Sequence, residues 1–174
     1  CLRVLARLVC RPQLSSGITP SAMFRTVALA HPCLLIDEAD TFVAGNEELR
    51  GVLNSGYAFD GCVIRNVGDT ANMEPRAFAT FAPVAIAAIN DLPTTVMGRS
   101  IVVRMQKRRR DEAIARFRLD KLGVFKDAAR RCERFARDAL GHVGARDVEP
   151  PAWMGDREAD NWRALFAVAA ALGP

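Results

Sequence analysis

The spacing of apolar positions changes along the chain, and the changes separate an α/β part from an all-helical part. Cys1-Leu2-Arg3-Val4-Leu5-Ala6-Arg7-Leu8-Val9 has the period of an amphipathic helix. Thr19-Pro20-Ser21 supplies an N-cap and an N1 proline for a second helix that should run to about Leu29 and stop at His31-Pro32. Cys33-Leu34-Leu35-Ile36 is a continuous apolar run without alternation, the pattern of a strand covered on both faces in a parallel sheet. Asn46 through Asn54 reads as a capped helix closed by Gly56. Cys62-Val67 and Ala77-Phe81 predict a hairpin with a long tip, and Ser15-Ser16-Gly17 a turn. Val84-Ile89, ending at Asn90, and Ile101-Met105 are two further buried-strand candidates. Beyond Arg110 the period becomes helical, with Gly141 to Gly155 as the loosest stretch and a last helix from about Arg157 to Leu172.

The expected fold class is therefore α/β: a parallel sheet with an inserted β-hairpin over residues 1–108, then a helical lid over 109–174. No apolar run reaches the roughly 18 residues that span a bilayer, so the expectation is a soluble, cytoplasmic protein with no membrane partner. The five cysteines form no C-x-x-C pair and are odd in number, which speaks against a zinc site or a disulfide framework; they read as small buried hydrophobes. His31 and His142 have no clustered ligands and read as a helix terminus and a loop residue, while Trp153, Trp162, Phe125 and Phe135 read as lid packing.

Charge is uneven. Residues 101–140 hold 13 Arg or Lys against 6 Asp or Glu, beginning with Arg104 and Lys107-Arg108-Arg109-Arg110 and continuing through Arg116 and Arg118 into the helical part. This is either an electrostatic footprint for phosphates or a solvated helix face paired with its own acids. Only three of the 24 basic residues are lysines, the first at Lys107.

An apolar strand that ends in Asp37-Glu38 puts two carboxylates at the carboxyl mouth of a parallel sheet, where open α/β folds bind ligands. For phosphoryl transfer the first carboxylate can hold Mg2+ through water and the second can orient or deprotonate a water. The competing reading is an acidic helix start that only complements a helix dipole.

Leu34-Leu35-Ile36-Asp37-Glu38-Ala39-Asp40 resembles the Walker B segment of AAA+ P-loop ATPases. The resemblance implies an ATP and Mg2+ site in which Asp37 holds the metal, Glu38 activates water and Asn90 is the sensor 1 residue. Arg99 then corresponds to the arginine finger that reaches a neighbouring subunit in a ring-shaped homo-oligomer, and Arg157 or Arg163 to the sensor 2 arginine of the lid. The plainer readings are that Asn90 caps a turn and that Arg99 is a surface arginine at a strand start.

Replicative relatives of this class use a hairpin ahead of sensor 1 to touch DNA, which makes Arg65 and Arg76, flanking the hairpin tip, candidate nucleic-acid contacts. With Ile18-Thr19-Pro20, Glu74-Pro75-Arg76, Arg99-Ser100-Ile101 and Asp160-Asn161-Trp162, nearly the whole chain resembles a family catalogued as a domain of unknown function. That family forms the ATPase-like C-terminal half of phage, plasmid and bacterial primase- or helicase-like replication proteins.

The lysine-bearing Walker A loop of that class has no counterpart here, and Cys1-Val9 resembles the body of the helix that follows it. The expectation is an ATPase fragment whose Walker A segment and first strand precede Cys1, which on its own is poorly stable and does not turn over ATP. The alternatives are a catalytically dead binding or structural subunit and a regulatory ATPase that remodels proteins.

Overall fold

A computed structural model describes residues 1–69, 72–115, 117, 118 and 120–173. The chain forms two compact units, residues 1–96 and 97–174. The sequence reading drew this boundary near Arg108.

The first unit is built on a three-stranded parallel sheet in the order β1-β2-β5, with β1 at Pro12–Ser15, β2 at Cys33–Ile36 and β5 at Val84–Ile86. In register, Leu14, Leu35 and Ala85 lie side by side. All four residues of β2 are buried, as its unbroken apolar run requires of a central strand. Because side chains alternate across a strand, Leu34 and Ile36 face one layer and Cys33 and Leu35 the other.

The first layer comprises helix α2 (Pro20–Ala30), helix α3 (Glu47–Ser55) and a hairpin of β3 (Cys62–Val67) and β4 (Glu74–Ala79). Met23, Phe24, Val27, Leu49, Val52 and Phe78 pack there with Leu34 and Ile36. The second layer is helix α1 (Leu2–Leu5) and the turns that follow it, which bring Leu2, Leu5 and Val9 over Cys33 and Leu35.

The caps form as the sequence predicts. Thr19 Oγ1 accepts the Ala22 N–H and Asn46 Oδ1 accepts the Leu49 N–H. Asn46 holds α3 at 2.9 Å. Gly56 closes α3, but with right-handed backbone at φ −69° instead of the left-handed turn usual at a helix end. His31 takes the left-handed C-cap position of α2. Gly68 at the hairpin tip has φ +132°, and a Cβ there would fall 2.0 Å from the Asn72 carbonyl oxygen. Thr70 and Ala71 of the expected tip lie outside the described residues.

One strand appears that the pattern did not predict, and three expected elements differ. Pro12–Ser15 is a strand although only Leu14 is strongly apolar in it; an edge strand need not be buried on both faces, and its proline stands first, where no ladder N–H is lost. Val84–Ile89 yields only three strand residues, with Val84 partly exposed and Ile89 95% exposed, because β5 pairs with β2 on one side alone. Ile101–Met105 is not a strand: no neighbour pairs with it among the described residues, and a β-branched run without a ladder leaves Val103 and Met105 exposed. The Cys1–Val9 helix keeps regular geometry only to Leu5, then tightens into turns in which Arg7 bonds back to Val4 and Leu8 to Leu5.

A short helix α4 (Thr94–Met97) closes the first unit, with only Met97 beyond the boundary, and the second unit contains α5 (Gly123–Gly144) and α6 (Asp156–Leu172). α5 and α6 pack together. Helix α5 runs through Gly141 and His142, which the sequence reading placed in a loop. Trp162 stacks on Phe166 and Phe117 meets Phe125 edge-on, whereas Trp153 is exposed and does not join the packing. All five cysteines are free thiols, and only Cys33 is buried, contrary to the expectation for the others. No helix among the described residues is long and apolar enough to cross a membrane.

Candidate functional site at the carboxyl end of the parallel sheet

Strands β1, β2 and β5 end at Ser15, Ile36 and Ile86, and the residues that follow them hold one another in place. Ala87 N–H donates to the Ile36 carbonyl at 2.8 Å and Asp37 N–H to the Ser15 carbonyl at 2.8 Å, which carries the ladder one residue past β2 on both sides. In a regular strand, residues two apart direct their N–H groups to the same neighbour. Ala39 N–H instead turns to the β5 side and donates to the Ala87 carbonyl at 3.1 Å. The chain therefore reverses its hydrogen-bonding direction between Asp37 and Ala39.

Glu38 makes that reversal. It sits at φ 54°, ψ 34°, a left-handed conformation that costs a side-chain-bearing residue about 1 kcal/mol. Its carbonyl accepts the Thr41 hydroxyl at 2.7 Å and the Thr41 N–H at 3.1 Å, which starts a single 3-10 turn over Ala39–Thr41. Asp37 Oδ1 accepts the Glu38 N–H at 3.1 Å. Both carboxylates are exposed, and no hydrogen bond or ion pair engages the Glu38 carboxylate among the described residues.

Asp40, to which the sequence reading gave no role, joins the two strand ends. Its carboxylate accepts the backbone N–H groups of Ile89 (3.4 Å) and Asn90 (3.3 Å) and the Asn90 side-chain amide (2.9 Å). Desolvation pushes the Asp40 carboxyl upward, but these donors outweigh it and hold the group below the ordinary aspartate value. The signal in the sequence was the fourth position of Asp37-Glu38-Ala39-Asp40, one 3-10 turn beyond the strand.

The structure thus brings together Asp37, Glu38 and Asn90 of the expected site, with Asn90 occupied through its Nδ2. Arg99, Arg157 and Arg163 belong to the second unit. Arg99 is half-buried, on a turn that α6 holds through a bond from Asn161 Nδ2 to the Gly98 carbonyl at 3.2 Å. Arg163 pairs with Asp147 at 2.9 Å, while Arg157 is exposed in the first turn of α6.

Arg65 and Arg76 lie on the body of the hairpin as direct cross-strand partners, with two residue pairs between them and its tip, and Arg65 pairs with Glu48 at 2.8 Å. On α5, Arg130 pairs with Asp127, Arg134 with Asp138 and Arg137 with Glu133, so much of this basic helix neutralises itself. Arg116 lies outside the described residues. Among the described residues no cluster of three or more His, Cys, Asp or Glu could hold a metal alone.

What the fold and this site define is a mixed α/β protein with a small parallel sheet and a paired carboxylate at the carboxyl end of its central strand. Residues 104–174 are similar to the family described as protein of unknown function (DUF3631). This match takes in Arg157, Asn161, Trp162 and Arg163 and stops short of Asp37, Glu38, Asn90 and Arg99, whereas the resemblance read from the sequence spanned nearly the whole chain. No curated protein and no solved structure matches the chain.

Proposed function

We propose that this chain is part of an ATP-hydrolysing, AAA+-like P-loop ATPase that acts in DNA replication or another nucleic-acid transaction. The observation that carries this reading is the placement of Asp37 and Glu38 directly after the buried central strand, tied through Asp40 to the turn that bears Asn90 at the end of the adjacent strand. That is the crevice in which open parallel sheets bind ligands.

The donor set fits Mg2+ and ATP in part. A single exposed carboxylate, Asp37, is the usual protein contribution to a Mg2+ that keeps its waters and its phosphate ligands; when bound, the ion neutralises charge that builds on the phosphoryl oxygens. Among the described residues the Glu38 carboxylate has no partner to compete for a water proton, which suits a general base. Asn90 retains an amide oxygen to orient that water while its Nδ2 is held by Asp40. In this reading Arg99 acts on the nucleotide of a neighbouring subunit in a ring. Arg157, which carries no ion pair among the described residues, serves as sensor 2 in preference to Arg163. The lysine-bearing phosphate loop would come from a segment before Cys1.

The reading of a non-hydrolysing binding subunit is favoured by one observation, the engagement of the Asn90 amide by Asp40. Mg2+-dependent ATP turnover by the chain extended to include that phosphate loop, as wild type and as Glu38→Gln, with and without DNA, decides between them. The expected result is turnover that falls by about 10²–10⁴ in Glu38→Gln with nucleotide binding retained. Equal non-zero rates would refute the role of Glu38, and no wild-type turnover would leave the binding subunit.

A further inference from the structure

The hairpin and α2 bring three guanidinium groups onto one aromatic pair, a cluster for which ATP hydrolysis has no use. Phe24 of α2 and Phe78 of β4 meet with ring centroids 4.8 Å apart, both buried. Arg25 lies over both rings, 5.8 Å from the centre of Phe24 and 5.6 Å from that of Phe78. Arg65 lies over Phe24 at 5.4 Å and Arg76 over Phe78 at 5.3 Å. Arg65 and Arg76 are also direct partners across the hairpin. Like charges placed directly opposite destabilise a strand pair, and a third cation from α2 adds to the repulsion.

The carboxylates present do not balance this cluster. Glu48 pairs with Arg65, and among the described residues no carboxylate forms an ion pair with Arg25 or Arg76. Glu74, two residues before Arg76 on β4, is exposed and makes no such pair. The rings hold the guanidiniums through cation–π attraction. They are themselves covered, so an incoming base has no ring face to stack on. Arg25 and Arg76 are exposed, and their remaining N–H edges are the forked donors that match phosphate oxygens. The cluster lies on an open surface spread over a helix and two strands. That suits a chain carrying successive phosphates better than one small anion, which needs an enclosing pocket.

We propose that Arg25, Arg65 and Arg76 form a binding surface for the phosphodiester backbone of a nucleic acid, with Phe24 and Phe78 as the floor that fixes the three guanidiniums. The proposal rests on the reading of a protein that acts on nucleic acid but not on ATP hydrolysis. It contacts phosphates and not bases, so its affinity depends on salt and little on sequence.

The test is fluorescence anisotropy of a labelled oligothymidylate and a labelled duplex, without nucleotide, across a salt series. Arg25→Ala/Arg76→Ala leaves the Arg65–Glu48 pair intact, and Arg3→Ala/Arg7→Ala removes two exposed arginines elsewhere as a charge-matched control. The hairpin variant should bind at least about 10-fold more weakly at low salt, and its slope of log K against log salt should fall by about 0.7 per arginine on the single strand and about 0.9 on the duplex. The larger loss identifies the strandedness the surface serves. Arg25→Lys/Arg76→Lys should keep the slope and bind more weakly, because charge remains and the fork is lost.

An unchanged slope in the hairpin variant, an equal loss in the control, or an equal loss of binding to polyglutamate would overturn the proposal. ATP turnover measured beside DNA binding separates the two readings: if wild type fails to turn over ATP while the hairpin variant alone loses DNA, the surface stands without the ATPase; if turnover is present and DNA binding is insensitive to the arginines, the surface fails by itself.

Discussion

Two glycines of α3 should respond to alanine with opposite signs. Gly51 is exposed on the helix and a Cβ there meets nothing within 4 Å. Alanine at that position should stabilise the protein by about 0.5–1 kcal/mol, by restricting the unfolded chain and adding helix propensity. A Cβ at Gly56 would lie 2.6 Å from the Thr80 carbonyl oxygen, inside any normal contact.

The obstacle is backbone, and it is fixed from three sides. Thr80 N–H donates to Gly61, its hydroxyl bonds the Ser55 hydroxyl at 2.9 Å, and Ser55 donates to the Cys62 carbonyl at 3.0 Å. Gly61 cannot give way either, since its own Cβ position lies 1.8 Å from the Ser55 carbonyl oxygen. Overpacking of this kind costs about 1–3 kcal/mol, and the entropic gain of alanine offsets at most about 1 kcal/mol. A net loss of roughly 1–2 kcal/mol lowers Tm by about 4–15 °C in a unit of this size. Hydrogen exchange at Leu34–Ile36, together with far-ultraviolet circular dichroism, reports on the first unit. Fluorescence does not, because Trp153 and Trp162 both belong to the second. Gly56→Ala found as stable as Gly51→Ala would refute the argument.

The remaining predictions concern the carboxylates. The Asp40 carboxyl is depressed in the fold, so its contribution is complete above the unfolded value of about 3.9 and is lost as pH falls through the lower folded value. Urea melts between pH 5 and pH 2 should therefore show a steeper acid loss for wild type than for Asp40→Asn, and parallel curves would sink the idea. Glu38→Gly removes the left-handed strain and should raise stability by up to about 1 kcal/mol while abolishing the proposed turnover. A destabilised Glu38→Gly in the same melts would mean that the Glu38 side chain makes contacts that outweigh its backbone strain.

The parts of the fold that sequence made legible are those where one local signal decides the outcome. Thr19 and Asn46 cap because their side chains reach an N–H three residues on, and Cys33–Ile36 is central because four apolar residues in a row can be buried only on two faces at once. Pro12–Ser15 forms a strand that no local signal announces, and Ile101–Met105 does not form the expected one, for the converse reason: whether a short run becomes a strand depends on its neighbour and not on its own composition. Gln13 and Ser15 form a ladder because Leu34 and Ile36 stand beside them; Val102 and Val103 have the better propensity and no strand to pair with among the described residues.

The site shows the same division. Asp37 and Glu38 could be placed at a strand end from the chain alone, and so could Asn90. Their connection could not, because Asp40 reaches Ile89 and Asn90 across 50 residues of sequence that include α3 and the whole hairpin. Nor does any preference of glutamate announce the left-handed turn at Glu38. That conformation is imposed by two backbone bonds in opposite directions, Asp37 to the β1 side and Ala39 to the β5 side, each made by a neighbouring strand. A glycine would satisfy the same bonds without strain, and the chain carries a glutamate there with its carboxylate exposed and, among the described residues, unbonded. Packing gives no reason for that choice of residue, and backbone geometry argues against it. The chemistry of a carboxylate at the mouth of the sheet is what can favour it: of the three left-handed side-chain-bearing residues in the unit, Arg11, His31 and Glu38, it is Glu38 on which the proposed activity depends.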